Sequence, residues 1–313
     1  MKISQFFRTL LSKPTSDHTS DSSFGLIHSL KVDELLRNRQ WMAFEATVAA
    51  LPTDELTRLL DGLCATPNYT RELYHYQEAG ESELQHLMAG IHDTFLAWEA
   101  RSKVVAQELT EKQINGFAHY LAQAIIHLDR SFKNHHYQVE AHARLIRVHM
   151  GLNEPQDAQQ AFFACRELVE DHLLGYMNYF KLAAPRWFGD AAVLAEFADE
   201  APTTTLRQLL QANFLVERYS DFDLDNLLPA KDQLQAAYSR RINQLLPELK
   251  PLSADSLLAI YYNNYAACLH HALGNVSERN SFLLHVGPSI TFYPWAYFGL
   301  DTPAAVRKLS RLQ

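Results

Sequence analysis

Apolar side chains in the middle of the chain recur at helical intervals. Phe117, Leu121, Ile125 and Leu128 fall at i, i+4, i+8 and i+11, one stripe of a helix. Thr110 and Gln113 have the spacing of a capping box, in which the hydroxyl accepts an orphan N–H and the amide reaches back. Residues 131–136 are polar and predict a turn. A second helix places Val139, Ala143, Ile146 and Met150 on one face. Gly151-Leu-Asn-Glu-Pro155 punctuates it: Gly and Asn suit a left-handed C-terminal residue, and Pro suits a new first turn. A third helix carries Ala158, Phe162 and Cys165, and two more follow around a Pro185-Arg-Trp187 corner.

The same grammar runs outward in both directions. Residues 1–11 carry Ile3, Phe6, Phe7, Leu10 and Leu11 beside Lys2 and Arg8, expected as a partly ordered arm that packs on its own domain, with a short amphipathic helix touching a membrane surface or a partner as the alternative. Residues 13–23 are polar and read as a linker, so 1–24 is expected to be a flexible arm. Helices begin at Phe24. Pro52 opens one holding Leu56, Leu59, Leu60 and Leu63, and Ser82 with Gln85 caps another with Leu84, Leu87, Ile91, Phe95 and Trp98. Residues 199–205 are polar and β-branched, the best internal boundary. Residues 221–225 read as an alternating acidic loop, without the glycine a calcium loop needs at its sixth position. Tyr261, Tyr262 and Tyr265 lead into small residues 266–268 and a Gly274 stop, a second hairpin; Phe292, Trp295, Tyr297 and Phe298 are expected to cap the apolar stack. The expected plan is an arm (1–24), a helical domain (25–200) and a C-terminal helical extension packed on the same array (201–313).

Composition sharpens this to an all-α fold. Glycines number only 11 in 313 residues, β-branched alternation is scarce, and helix formers dominate. Lys plus Arg is 28 against 36 Asp plus Glu, a net charge of −8, which disfavours a nucleic-acid backbone as partner. Cys64, Cys165 and Cys268 are an odd number without paired spacing, which points to reduced, buried thiols and a cytoplasmic setting. No stretch reaches the ~20 apolar residues of a membrane helix.

The small–large–small spacing of Ala158, Phe162 and Cys165 resembles a tetratricopeptide (TPR) repeat, and Ala124 to Asp129 resembles its closing segment, with Arg130 where Pro is usual. Glu140 and Arg144 stand where the first repeat helix carries small residues. A wider resemblance rests on Trp98-Glu-Ala-Arg101, Leu128-Asp129, Leu145-Ile146 with Met150-Gly151, Ala184-Pro-Arg-Trp-Phe-Gly-Asp190 and Glu196-Phe-Ala198. These motifs are similar to those of an uncharacterised bacterial TPR-like family catalogued as a domain of unknown function. Ser102, Arg186, Phe188, Asp190 and Asp199 depart from its pattern. The resemblance spans roughly residues 30 to 200 and implies a TPR-like helical-hairpin solenoid, as a right-handed superhelix or a compact α-α array. It brings no catalytic residue with it.

Candidate chemistry is sparse. Fifteen histidines include no pair one helical turn apart, and there is no phosphate-cradling glycine loop, nucleophile elbow or Cys-x-x-Cys. No metal and no cofactor are expected. Stacked hairpins would line a concave face, where Trp98, Arg101, Arg144, Arg147 and Trp187 are the candidate anchors for a peptide carboxylate or an acidic side chain. The expected function is therefore a non-catalytic protein–protein interaction module in the bacterial cytoplasm. The alternatives are an enzyme with a pocket inside a helical array, and an immunity or adaptor protein in interbacterial competition.

Overall fold

A computed structural model describes residues 21–65, 67–101, 108–225 and 228–310. Among them are sixteen α-helices and no β-strand, as composition and periodicity require. The chain divides into two compact units, Asp21–Asp190 and a C-terminal unit built from Ala191–Gln313. Residues 1–20, most of the expected arm, lie outside the described residues.

The first unit holds α1 (Leu26–Ser29), α2 (Val32–Arg37), α3 (Trp41–Ala49), α4 (Thr53–Cys64), α5 (Thr70–Glu78), α6 (Glu83–Arg101), α7 (Glu111–Asp129), α8 (His135–Leu152), α9 (Pro155–Leu168) and α10 (Leu173–Leu182). Order begins earlier than the sequence suggests. Ser23 is fully buried, Asp21 accepts hydrogen bonds from its amide and hydroxyl, and Arg58 donates to the carbonyls of Ser23 and Phe24. Gly62 makes the space: a Cβ there would stand 2.5 Å from Ser23 Cβ.

Both predicted capping boxes form. Thr110 and Gln113 exchange hydrogen bonds at the start of α7, and Ser82 and Gln85 do so ahead of α6. The long helices α6 and α7 run antiparallel in close contact. Gly90 of α6 meets Leu128 and the Ala124 carbonyl of α7, and Gly116 of α7 faces Ala100 of α6. A Cβ at Gly90 would stand 2.7 Å from Leu128 Cγ, so glycine here sets how near the two helices come.

Helix α8 is the centre of the unit and packs against α4, α6, α7, α9 and α10. Its end corrects the expectation at Gly151. The helix runs on to Leu152, and Asn153 takes the left-handed position at φ 64°. Gly151 is needed inside the helix, where a Cβ would meet Leu121 at 2.7 Å and Phe117 at 2.8 Å. Pro155 then opens α9, whose Ala158, Phe162 and Cys165 are all buried. Phe162 stacks on Tyr179 of α10 at 4.2 Å and meets Tyr176 edge-on. Asn178 of α10 donates to the Ala143 carbonyl of α8 at 2.9 Å.

The second unit contains α11 (Ala191–Asp199), α12 (Thr204–Asp225), α13 (Ala230–Leu245), α14 (Leu257–Ala272), α15 (Val276–Val286) and α16 (Pro303–Leu309). It starts at residue 191 and not at 201, because α11 buries Leu194, Ala195 and Ala198 and packs against α12. The expected acidic loop is the last turn of α12, where Asp221 pairs with Arg218 one turn earlier. Helices α14 and α15 form the hairpin announced by residues 266–268, and Gly274 turns it at φ 76°. Of the aromatic segment 292–298, Trp295 enters the apolar interior of this unit, Tyr297 and Phe298 are half-buried, and Phe292 is exposed. Trp295 is fully buried and donates to Asn264 Oδ1, which also accepts the Thr291 amide.

Candidate functional site

Four of the five expected anchors meet in the first unit. Trp98 and Arg101 come from the last turn of α6, Arg147 from α8, and Trp187 from the corner after α10. The two indoles pack edge to face at 5.8 Å, and Phe117 of α7 closes the other edge of Trp98 at 5.1 Å. The Arg147 guanidinium lies 4.2 Å above the Trp98 ring. Arg101 sits 5.8 Å from Trp98 and 6.0 Å from Trp187. All four side chains are half-buried, and Arg186 and Phe188 beside them are exposed.

The corner that delivers Trp187 is held by backbone. The Trp187 amide donates to the Ala184 carbonyl and the Phe188 amide to Leu182. Gly189 lies so near the Ala183 carbonyl that no side chain fits there. Trp98 Nε1 is buried without a hydrogen-bond partner, an uncompensated polar atom at the base of the cluster. Burial lowers the Arg101 pKa, although the guanidinium stays a cation.

Arg144, the fifth expected anchor, lies elsewhere. The i, i+4 spacing of Glu140 and Arg144 suits an ion pair on a helix surface, but the structure seals both inside the unit. Glu140 Oε1 accepts from Arg144 Nε at 2.8 Å and from its terminal nitrogen at 2.5 Å. Arg144 reaches Asp61 of α4 at 2.5 Å, and Thr57 donates to Glu140 Oε2 at 2.6 Å. Burial alone would raise the Glu140 pKa. Arg144 first, then His172 and Thr57, overturn that and hold it at about 2. Asp61 and Glu140 raise the Arg144 pKa against burial, so Arg144 and Glu140 face each other as ions, while burial pushes the Asp61 carboxyl up.

His172 completes this network at the N-terminus of α10. Its Nδ1 accepts the Gly175 amide at 3.3 Å and lies 3.6 Å from Cys165 Sγ. Its Nε2 stands 3.5 Å from Glu140 Oε2, an ion-pair distance without hydrogen-bond geometry. Burial opposes protonation, but Cys165 and Glu140 work against it and push the pKa upward. The cap works against a doubly protonated ring, because Gly175 needs the Nδ1 lone pair. Nε2 therefore carries the ring proton, facing Glu140. The network locks α4, α8 and α10 together and offers solvent no reactive edge. It is a brace.

Another cluster crosses the α8–α9 turn. Side-chain ligand atoms of His149, Glu154 and Asp157 lie within 4.8 Å of one another, with His149 Nδ1 2.8 Å from Glu154 Oε2. Sequence spacing gave no hint of it, because a turn separates the three. Both carboxylates sit at the positive end of α9, which accounts for their placement without an ion.

No family model matches this chain, and neither a curated protein nor a solved structure matches it.

Proposed function

We propose that this chain is a non-catalytic protein-binding module that holds an acidic segment of its partner at the Trp98–Arg101–Arg147–Trp187 cluster. The observation that carries the reading is the placement of two guanidiniums on two half-exposed indoles, all delivered by packed helices. A guanidinium stacked on a ring engages it through its face, and carboxylates dock on the N–H edges. Trp and Arg are also the residues most enriched among interface anchors. The α8–α9 hairpin, with Ala158, Phe162 and Cys165 buried at repeat spacing, supports a TPR-like ancestry for the first unit. Three free, buried cysteines accord with a bacterial cytoplasmic setting.

The test is a fluorescence titration with hexaglutamate, since two of the four tryptophans report directly from the cluster. Wild-type protein is expected to show a saturable change that weakens with salt. Arg101→Ala/Arg147→Ala is expected to lose at least roughly tenfold in affinity, the direction and size expected when anchoring charges are removed. Equal titrations for wild type and variant would remove the cluster from the binding surface.

A further inference from the structure

The second unit carries a cleft of its own, with a volume of about 570 Å³, walled by α11, α12, α13 and the 3-10 turn Leu246–Glu248. The size falls in the range of small-molecule sites. Its charge is unusual for a chain of net −8: Arg207, Arg240 and Arg241 all line it, against the carboxylates Asp199 and Glu248.

Two of the three guanidiniums are held in place by the fold. Arg207 grips the Ala201 carbonyl through Nε at 3.1 Å and a terminal nitrogen at 2.9 Å. Arg241 donates to Asp199 Oδ1 at 2.8 Å and lies 5.6 Å from the centre of the Phe214 ring. The same Asp199 oxygen accepts Gln211 at 2.9 Å. Burial works against ionisation of Asp199, but Arg241, Gln211 and Arg207 lower its pKa, so it stays charged. One carboxylate is thus already engaged by Arg241 and Gln211. Arg240 stands exposed at the mouth, just past the break in α13 at Tyr238. The cleft also receives Thr204, the first residue of the 22-residue α12, so the positive end of that helix opens into it. Glu248 at the rim opposes an anion, as does the charged Asp199 where Arg241 and Gln211 leave it uncovered.

The geometry points to an oxyanion site in the C-terminal unit, for a small molecule carrying a phosphate or carboxylate group, with Arg207, Arg240 and Arg241 as its ligands. Pre-positioned guanidiniums lose little freedom on binding, and their forks match both kinds of anion. The site stands independently of the tryptophan cluster, because no residue is shared.

Thermal unfolding and calorimetric titration of the whole chain test it, with sodium phosphate and sodium citrate as separate probes. Sodium chloride at matched ionic strength is the reference. At least one probe is expected to raise Tm saturably, with heat that fits one site. Phosphate alone, citrate alone or both would each support the site and name the preferred group. Arg240→Ala, at an exposed position, is expected to keep its Tm in chloride and to weaken the effect at least roughly tenfold. Arg207→Ala should weaken it too, and Arg147→Ala in the other unit should leave it intact. No stabilisation beyond chloride by either probe, or wild-type affinity in Arg240→Ala, would overturn the proposal.

Discussion

Arg144 and Arg147 leave the same helix one turn apart and enter opposite environments. Arg144 is sealed between Glu140 and Asp61, and Arg147 lies half-exposed on the Trp98 ring. The first is surrounded by acids that cancel its charge and hold α4 to α8. The second lies across an aromatic face, 4.2 Å above the Trp98 ring. Residue type and helix phase alone do not separate a buried brace from a half-exposed guanidinium; the neighbours supplied by other helices do.

The largest expected effect lies on the braced side. Glu140→Gln removes the charge that Arg144, Thr57 and His172 all face, at a cost of about 3–5 kcal/mol in denaturant unfolding. A cost under ~1 kcal/mol would place the two arginines in equivalent settings and dissolve the contrast. Acid unfolding sharpens the point. The folded-state pKa of Glu140 is depressed to about 2, so its contribution is fully present above the ordinary glutamate value and is lost as pH falls toward 2. Glu140→Gln should show a shallower stability slope across that window.

Next comes Gly151→Ala, which drives a methyl into Leu121 and Phe117 beneath the aromatic side of α8. Overpacking of this kind costs about 1–3 kcal/mol. The same substitution should disturb Trp98 fluorescence through Phe117.

A third carboxylate gives an intermediate case. Burial raises Asp93 of α6 to about 6, and His92 and His119 only partly offset it. A folded-state pKa above the ordinary aspartate value means that stability falls as pH rises from about 4 to about 6. Asp93→Asn should therefore stabilise the protein at pH 7 by about 1 kcal/mol, discounted for its partial exposure, and leave it unchanged near pH 4. A destabilised variant at pH 7 would reveal a cation paired with Asp93. The smallest effect belongs to Arg147→Ala, about 0.5–1 kcal/mol in stability, the scale of an exposed cation–π contact. Its main signature is the lost hexaglutamate titration.

How far the sequence reached depends on whether a signal was local. Thr110 with Gln113, Ser82 with Gln85, Pro155 and Gly274 mark helix ends through contacts within a few residues, and the structure uses all of them in those roles. Trp98 and Arg101 share a helical turn, so their proximity was readable; that Trp187 joins them depends on a corner whose geometry the sequence only names. Glu140–Arg144 was misleading because an i, i+4 ion pair has the same spacing on a surface as in a core. Its partners Thr57 and Asp61 are 83 residues away in sequence. The cleft of the second unit was hidden for the same reason: Arg240 and Arg241 read as a short basic run, and only folding brings Arg207 and Asp199 to them.

The three cysteines turn this chain into its own recorder of opening. Cys64 and Cys165 are buried in the first unit and Cys268 in the second, and burial pushes the Cys64 and Cys268 thiols well above their ordinary range. A thiol-reactive dye is therefore silent toward the native protein and modifies each sulfur only when its surroundings come apart. Peptide mapping of dye incorporation over time would show whether the two halves breathe together or one gives way first.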